Sequence, residues 1–449
     1  MMTGEESKRF SHWQWRVIIC SMIGYSMFYF VRKNFSFAIP SLGDKYGITN
    51  TSFGIILTLV GLIYGVSKFI NGFIADRTNA RWHMSIGLMV CVVINFIFGW
   101  SADISHWITG QANGPDFVNM MVVVFAVLLI LNNIFQGTGF SPCNRLMTHW
   151  VPPTELATKM SIWNTSHSIG AGLASVLCGY IIAVTGDWRL CFWIPAAIAA
   201  VGVVFIIATL RDTPKSVGLP ELPDTKTTLD NNDTPEEYKK FVMEKVFKSR
   251  IIWTLAITDL FVYIVRFAVL DWGPTFLQKG TNPLSPQLAG WTVGIFEVCG
   301  CVGMLFAGWI TDHLFKGKAQ RVCFIEMILT AVCLLVLWML PKGGNPVVML
   351  VILAIAGFFL YGPQALLGVT ASNQATKKAA SSAVGLIGLC SYASVIFTGA
   401  GLGWFSDHFG WDYLFLLMCG VAVIGGLIVL TLWNIKGDGY VHDGADAKQ

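Results

Sequence analysis

Two arginines stand inside stretches that are otherwise apolar enough to cross a bilayer, and each has tyrosines for neighbours. The first lies in Gly24-Tyr25-Ser26-Met27-Phe28-Tyr29-Phe30-Val31-Arg32-Lys33-Asn34-Phe35. The second lies in Asp259-Leu260-Phe261-Val262-Tyr263-Ile264-Val265-Arg266-Phe267-Ala268-Val269-Leu270-Asp271-Trp272. An arginine at the centre of a membrane helix costs roughly 2.5 to 3.5 kcal/mol on insertion scales, so an intramembrane guanidinium calls for something that offsets it. Its planar fork of donors, charged at any physiological pH, suits a phosphate dianion; pairing with a carboxylate such as Asp259, or snorkelling to an interface, is the alternative. Arg32 and Arg266 are 234 positions apart, and Asp76 and Asp312, each just after a later span, are 236 apart. These nearly equal offsets assign the two arginines to corresponding places in two repeated halves.

Other polar groups cluster by helical spacing. Tyr25, Tyr29 and Arg32 stand at i, i+4 and i+7 and share one face. Lys33 points about 100° away on an ideal helix, toward the outer end of the span. Tyr64 and Lys68 are four apart. Lys68 either adds a second cation to the same path or carries its ammonium to the nearer membrane surface. His167 follows Trp163 by four, and its imidazole changes charge near neutrality, as phosphate does; a hydrogen-bonded packing role is its alternative. Tyr263 precedes Arg266 by three. Tyr361, Tyr392 and Glu297 come from other spans as candidate pocket liners, with packing the better reading for Tyr392 and structural pairing open for Glu297. Asp259, at i and i+7 from Arg266, shares that arginine's face and could neutralise part of its charge.

These residues are carried by membrane helices. Of 449 residues 54% are hydrophobic and only 12% charged, too apolar for a soluble chain of this length. Segments of about 20 apolar residues, enough to span about 30 Å as helix, recur over 16–41, 52–73, 84–104, 117–140, 160–184, 190–210, 251–271, 289–310, 322–340, 347–368, 380–404 and 412–434. The fold class is therefore an all-α membrane protein: twelve transmembrane helices in two six-helix halves related by a pseudo-two-fold axis. The halves are 1–210 and 251–449, the latter with a short cytoplasmic tail, and a polar cytoplasmic linker, 211–250, joins them. Apart from Lys45, Arg189, Lys279 and Lys342, every Lys and Arg outside the spans falls on one side, which places both termini in the cytoplasm. The first residues lack the pattern of a cleaved signal, so the first span is expected to be retained.

Several function classes find no support. The eleven cysteines lie mostly within spans and never in metal-ligand spacing with histidines, and read as small apolar packing residues. Gly137-Thr138-Gly139, Gly170-Ala171-Gly172 and Gly385 to Gly388 let helices approach closely; Walker and dinucleotide patterns are absent. No basic stripe with interleaved aromatics points to nucleic acid. No catalytic constellation points to an enzyme, and no cofactor or metal is expected. The loop groups Asp76, Arg77 and Arg81, and Asp312 with Lys316, Lys318 and Arg321, sit where helices end at the cytoplasmic face, where charge pairs can hold one state of a moving bundle; they are read as gating residues.

Gly72-Phe73-Ile74-Ala75-Asp76-Arg77-Thr78-Asn79-Ala80-Arg81 and Gly308-Trp309-Ile310-Thr311-Asp312-His313 resemble the signature loops of the major facilitator superfamily. Tyr29 to Phe35, Tyr64-Gly65-Val66-Ser67-Lys68-Phe69, Trp163-Asn164-Thr165-Ser166-His167, Arg266 with Asp271-Trp272, and Tyr361-Gly362-Pro363 narrow the resemblance to the organophosphate:phosphate antiporters. It extends from about residue 10 to about residue 435. The resemblance implies a carrier in the inner membrane that exchanges a small organic phosphate for inorganic phosphate by alternating access, most simply as a monomer. It also implies substrate contacts for Lys68, His167 and Asn164 beside Arg32, Arg266 and Tyr25, Tyr29, Tyr64, Tyr263 and Tyr361. Ser381 to Leu389 lacks the acidic and basic pair of one hexose-phosphate branch, which favours glycerol 3-phosphate over a hexose 6-phosphate. Sensors built on the same scaffold, signalling to a kinase partner, are the alternative. Asp259 departs from the family pattern, where an uncharged amide is usual.

Overall fold

The computed structural model describes residues 4–75, 78–222, 235–341 and 343–435, and every regular element among them is helical. The chain opens with α1 (Gly4–Phe30), α2 (Asn34–Tyr46), α3 (Asn50–Ala75), α4 (Ala80–Phe98), α5 (Ser101–Thr109), α6 (Pro115–Trp150), α7 (Pro153–Thr185) and α8 (Leu190–Thr209). It continues with α9 (Pro235–Val242), α10 (Arg250–Lys279), α11 (Pro286–His313), α12 (Ala319–Met339), α13 (Pro346–Gln374), α14 (Thr376–Ala393), α15 (Leu402–Phe409) and α16 (Leu414–Leu430). Among the described residues ten helices are long and apolar enough to cross a membrane. Two further spans complete the expected twelve: α1 with α2, broken between them, and the shorter α16. The protein is a multi-pass membrane protein.

Several helices run longer than the expected spans, α6 to Trp150, α7 from Pro153 and α10 to Lys279, and three spans depart from expectation for a local reason. The first span is not one helix but two, interrupted at residues 31–33, beside Arg32. The third ends at Phe98, and α5 is a separate element that stops at Gly110, whose φ of 67° is left-handed and open to glycine without strain. The eleventh runs on beyond residue 404: a wide turn at Phe397–Gly401 joins α14 to α15, and the helix ends only at Phe409.

The described chain divides into two compact units. The first comprises residues 1–225, 269–298 and 395–411; the second comprises 226–268, 299–394 and 412–449. In the first unit α1, α4, α6, α7 and α8 close around Val17, Phe28, Met84, Leu88, Leu146, Trp150, Trp163 and Val203, all buried. Apolar side chains also face outward from most spans, as a hydrocarbon solvent permits. Glycine permits two backbone contacts here. A Cβ on Gly54 of α3 would lie 2.8 Å from the Gly399 carbonyl carbon, and one on Gly179 of α7 would lie 2.9 Å from Gly290 Cα. In the second unit α12 packs against α13 and α16, with Gly425 seated on Met327 and Phe261.

Candidate substrate site

The break at residues 31–33 leaves backbone carbonyls that no helical N–H can satisfy, and in a membrane interior such groups must find donors within the protein. Side-chain amides from neighbouring helices supply them. Asn132 Nδ2 donates to the Val31 carbonyl at 2.9 Å and Asn95 Nδ2 at 3.2 Å. Gln136 Nε2 donates to the Phe28 carbonyl at 3.2 Å. Asn34 Nδ2 in turn donates to Asn95 Oδ1 at 2.8 Å and to the Cys191 carbonyl at 3.1 Å, and Asn95 Nδ2 also reaches Asn132 Oδ1 at 3.2 Å. All four amides are buried. They fix the backbone on which Arg32 stands.

Arg32 projects into an aromatic enclosure. Its Cζ lies 3.6 Å from the centroid of the Tyr64 ring and 5.7 Å from that of Tyr29. Tyr29 meets Tyr25 edge to face, 5.5 Å between centroids, and Tyr25 stacks on Trp163 at 5.0 Å. The His167 ring lies 6.3 Å from that of Tyr29. Its Nδ1 meets the carbonyl of Asn164, one helical turn earlier, and by donating there fixes the tautomer that leaves Nε2 as the acceptor. The Lys68 ammonium sits 3.9 Å over Phe140, whose ring packs on Tyr25 and Trp163. Thus Tyr25, Tyr29, Arg32, Tyr64, Lys68, Asn164 and His167, drawn from α1, α3 and α7 and the break after α1, form one continuous group in the first unit.

In the second unit, Arg266 stands on unbroken helix α10. Its Nε donates to the Tyr361 hydroxyl at 2.9 Å, and its Cζ lies 4.8 Å from the Tyr361 ring and 5.7 Å from that of Tyr263. Tyr361 itself is seated against Gly300, where a Cβ would stand 2.6 Å from the ring. Any larger residue at 300 would displace the phenol. Asp259, 2% exposed, is engaged by the hydroxyl of Ser391 on α14. Glu297 is buried and Tyr392 half-buried.

Ion pairs add residues that spacing alone did not single out. Lys33, which ideal geometry turns away from Arg32, pairs with Asp271 within the first unit. Lys279 Nζ bonds Asp44 Oδ1 at 2.6 Å. Asp407 accepts from the amides of Asn50 and Thr51 at 3.1 and 2.7 Å, capping the start of α3. At the other end of α3, Asp212 accepts from the amide of Ala80 at 2.8 Å and from Arg145 at 3.3 Å, while Arg145 also donates to the Ala75 carbonyl at 3.3 Å. Of the loop residues read as gates, Asp76 and Arg77 lie outside the described residues. Arg81 is half-buried with its Cζ 5.1 Å over the Trp82 ring, and Asp312 is exposed near the end of α11.

Known proteins bear on this arrangement. The family model of the Major Facilitator Superfamily matches residues 21–400 and 284–444. A glycerol-3-phosphate transporter of Bacillus subtilis is 34% identical over 93% of this chain and 92% of its own. A probable hexose phosphate transport protein of Chlamydia pneumoniae is 34% identical over 95% of this chain and 92% of its own. The membrane sensor protein UhpC of Escherichia coli is 32% identical over 96% and 95%. Among solved structures, the inward-open xylose transporter XylE of E. coli superposes with a TM-score of 0.69 at 14% identity, covering 93% of this chain and 96% of its own, a likeness of fold alone.

Proposed function

The chain belongs to the Major Facilitator Superfamily, and from that premise we propose that it is a secondary transporter for a small organic phosphate, glycerol 3-phosphate foremost, exchanged for inorganic phosphate by alternating access. The observation that carries the reading is the pair of intramembrane arginines, each supported by phenols: Arg32 by Tyr64 and Tyr29, Arg266 by Tyr361 and Tyr263. Each guanidinium offers the phosphoryl oxygens a fork of N–H donors, while Lys68 adds positive charge and His167 a neutral acceptor or a second cation according to pH. Asn164, Tyr25, Tyr29, Tyr64, Tyr263 and Tyr361 complete the proposed site. The carrier works as two six-helix halves, 1–210 and 251–449, joined by the 211–250 linker, with both termini in the cytoplasm of a cell whose inner membrane it spans as a monomer. Asp76, Arg77, Arg81 and Asp312 act as cytoplasmic gate residues. Lys279 with Asp44, and Asp407 with the start of α3, hold the outer end shut.

Arg32→Lys and Arg266→Lys test the site, because an ammonium keeps the charge but not the bidentate fork. Each is expected to abolish exchange of labelled phosphate in proteoliposomes; wild-type exchange by either variant would overturn the reading. Coupling follows from the same charges. Crossing with its cations uncompensated is penalised in a low-dielectric path, and a bound anion lowers that barrier. Vesicles preloaded with phosphate are therefore expected to accumulate labelled glycerol 3-phosphate, and sealed vesicles lacking any internal substrate to take up none. Sustained uptake by the latter defeats obligatory exchange. Faster counterflow with glucose 6-phosphate than with glycerol 3-phosphate would move the substrate to the hexose branch. The 32% identity to UhpC keeps a sensor as the second reading; binding of a sugar phosphate without counterflow, together with capture of a kinase, is its signature.

A further inference from the structure

Asp259 is a carboxyl at membrane depth, 2% exposed, on the helix that carries Arg266. Its two oxygens have different surroundings. Oδ2 meets the hydroxyl of Ser391, whereas Oδ1 has no hydrogen-bond partner among the described residues. The Ser391 hydroxyl has a second neighbour, its own helix's Ile387 carbonyl at 2.8 Å. A serine hydroxyl has one proton and two lone pairs. If that proton goes to Asp259, the carboxyl is an anion accepting it. If it goes to Ile387, which can only accept, then Asp259 must carry a proton of its own and donate it to Ser391. The same three groups therefore serve Oδ2 in both the charged and the neutral carboxyl without any movement of the backbone.

We propose that Asp259 and Ser391 form a proton-binding site whose occupancy is linked to the anion held by Arg266, so that substrate binding brings a proton with it. This rests on the reading that Arg266 takes the substrate anion. Asp259 and Arg266 stand two turns apart on one face of α10, about 10 Å along the axis. With no anion bound, the Asp259 carboxylate compensates part of the arginine's charge. An arriving phosphate takes over that role and leaves a buried carboxylate uncompensated, which then binds a proton from the aqueous phase: one O–H bond forms, and one positive charge enters the protein. By linkage, the same coupling makes anion affinity rise as Asp259 becomes protonated. Ionisable side chains from other helices that interact with Asp259 include Cys323 on α12 and Cys390 on α14, with Glu326 near Cys323. On α10 itself, Tyr263 stands one turn beyond Asp259 and Arg266 two turns beyond; the helix's other cations, Arg250 and Lys279, are at its ends.

Three measurements on the purified full chain in lipid nanodiscs separate the parts of this proposal. Infrared difference spectra taken across pH should show a protonated-carboxyl band that is missing in Asp259→Asn, and inorganic phosphate should make the band persist to higher pH. In weakly buffered solution with a pH indicator, the wild type should take up more protons per bound phosphate than Asp259→Asn; the phosphate's own titration is common to both. At alkaline pH, Asp259→Asn should bind phosphate about tenfold more tightly than the wild type, the size expected for unit charges about 10 Å apart at an effective dielectric near 20. Absence of the Asp259 band overturns the proton site, and a band indifferent to bound phosphate overturns the linkage. A wild type that shows the band but binds no phosphate defeats the anion reading and leaves the proton site standing. Should Asp259→Asn fail to fold, Ser391→Ala serves instead. Having lost the hydroxyl that stabilises the anion, it should keep its proton to higher pH than the wild type, and an unmoved titration would overturn the proposal.

Discussion

The two arginines stand 234 positions apart, close to the 236 that separate Asp76 and Asp312, yet their surroundings solve the problem of a buried guanidinium in different ways. Arg32 stands at a break in its helix, on backbone held by amides from α4 and α6, with its charge laid over the face of Tyr64 at 3.6 Å. Arg266 stands on an unbroken helix, and its Nε donates to the Tyr361 hydroxyl. A repeat thus preserves where a charge is placed without preserving how it is held. Arg32 depends on a distributed backbone device, whereas the supports of Arg266 include a phenol hydroxyl on Nε and the faces of Tyr361 and Tyr263. Damage to the supports should therefore be larger and harder to bypass around Arg32.

The largest effect expected from a residue that does not itself touch the anion is at Asn132. Asn132→Leu keeps the volume but withdraws the 2.9 Å donor from the Val31 carbonyl and the oxygen that receives Asn95. Two buried hydrogen bonds are lost, at about 0.5 to 1.5 kcal/mol each; the Val31 carbonyl keeps only its longer bonds from Asn95 and Gln136, and the break can relax by moving residues 31–33. Phosphate affinity is expected to fall by about ten- to a hundredfold, with expression and thermal unfolding little changed because the loss is absorbed by movement of the break. Isothermal titration beside a melting curve checks it. Lost stability with normal affinity would mean that the amides hold the bundle and not the arginine.

How much of this could be read in advance depends on whether the signal was local. The helical class, the spans and the tyrosines flanking each arginine follow from apolar length and from spacings of three, four and seven, which a helix converts directly into faces. The break after Phe30 had no such marker: Val31-Arg32-Lys33 contains neither Gly nor Pro, and the compensating Asn95, Asn132 and Gln136 are remote in sequence. Polar amides inside otherwise apolar spans were the available signal, since an amide at that depth must serve some other polar group. The Lys33–Asp271 pair and the Asp407 cap on α3 join residues more than 200 positions apart, which no periodicity within one helix encodes. Asp259 was legible as an exception on the face of Arg266. Its bond to Ser391 was not, because the relative rotation of α10 and α14 is a tertiary fact.

The finest discrimination between the two arginines comes from substitutions at the tyrosine that supports each. Tyr64 presents a ring face to Arg32, an interaction worth about 2 kcal/mol when desolvated, so Tyr64→Leu should weaken phosphate binding by about twenty- to thirtyfold. Tyr361 offers Arg266 a hydroxyl at 2.9 Å and a ring at 4.8 Å, and Tyr361→Phe removes the first while keeping the second. A hydrogen bond to a charged group contributes about 1.5 to 3 kcal/mol when its partner is simply lost. Here Nε can turn to a bound phosphate oxygen instead, and this regained contact offsets most of the loss. The expected result is a loss of affinity of about threefold, at the modest end of a neutral hydrogen bond's contribution. Empty carrier should lose more than loaded carrier, so thermal stability measured without phosphate should drop further than stability measured with it. Equal drops in both conditions would show that the Tyr361 hydroxyl serves Arg266 in every state, and the contrast between a replaceable support at Arg266 and a fixed one at Arg32 would then fail.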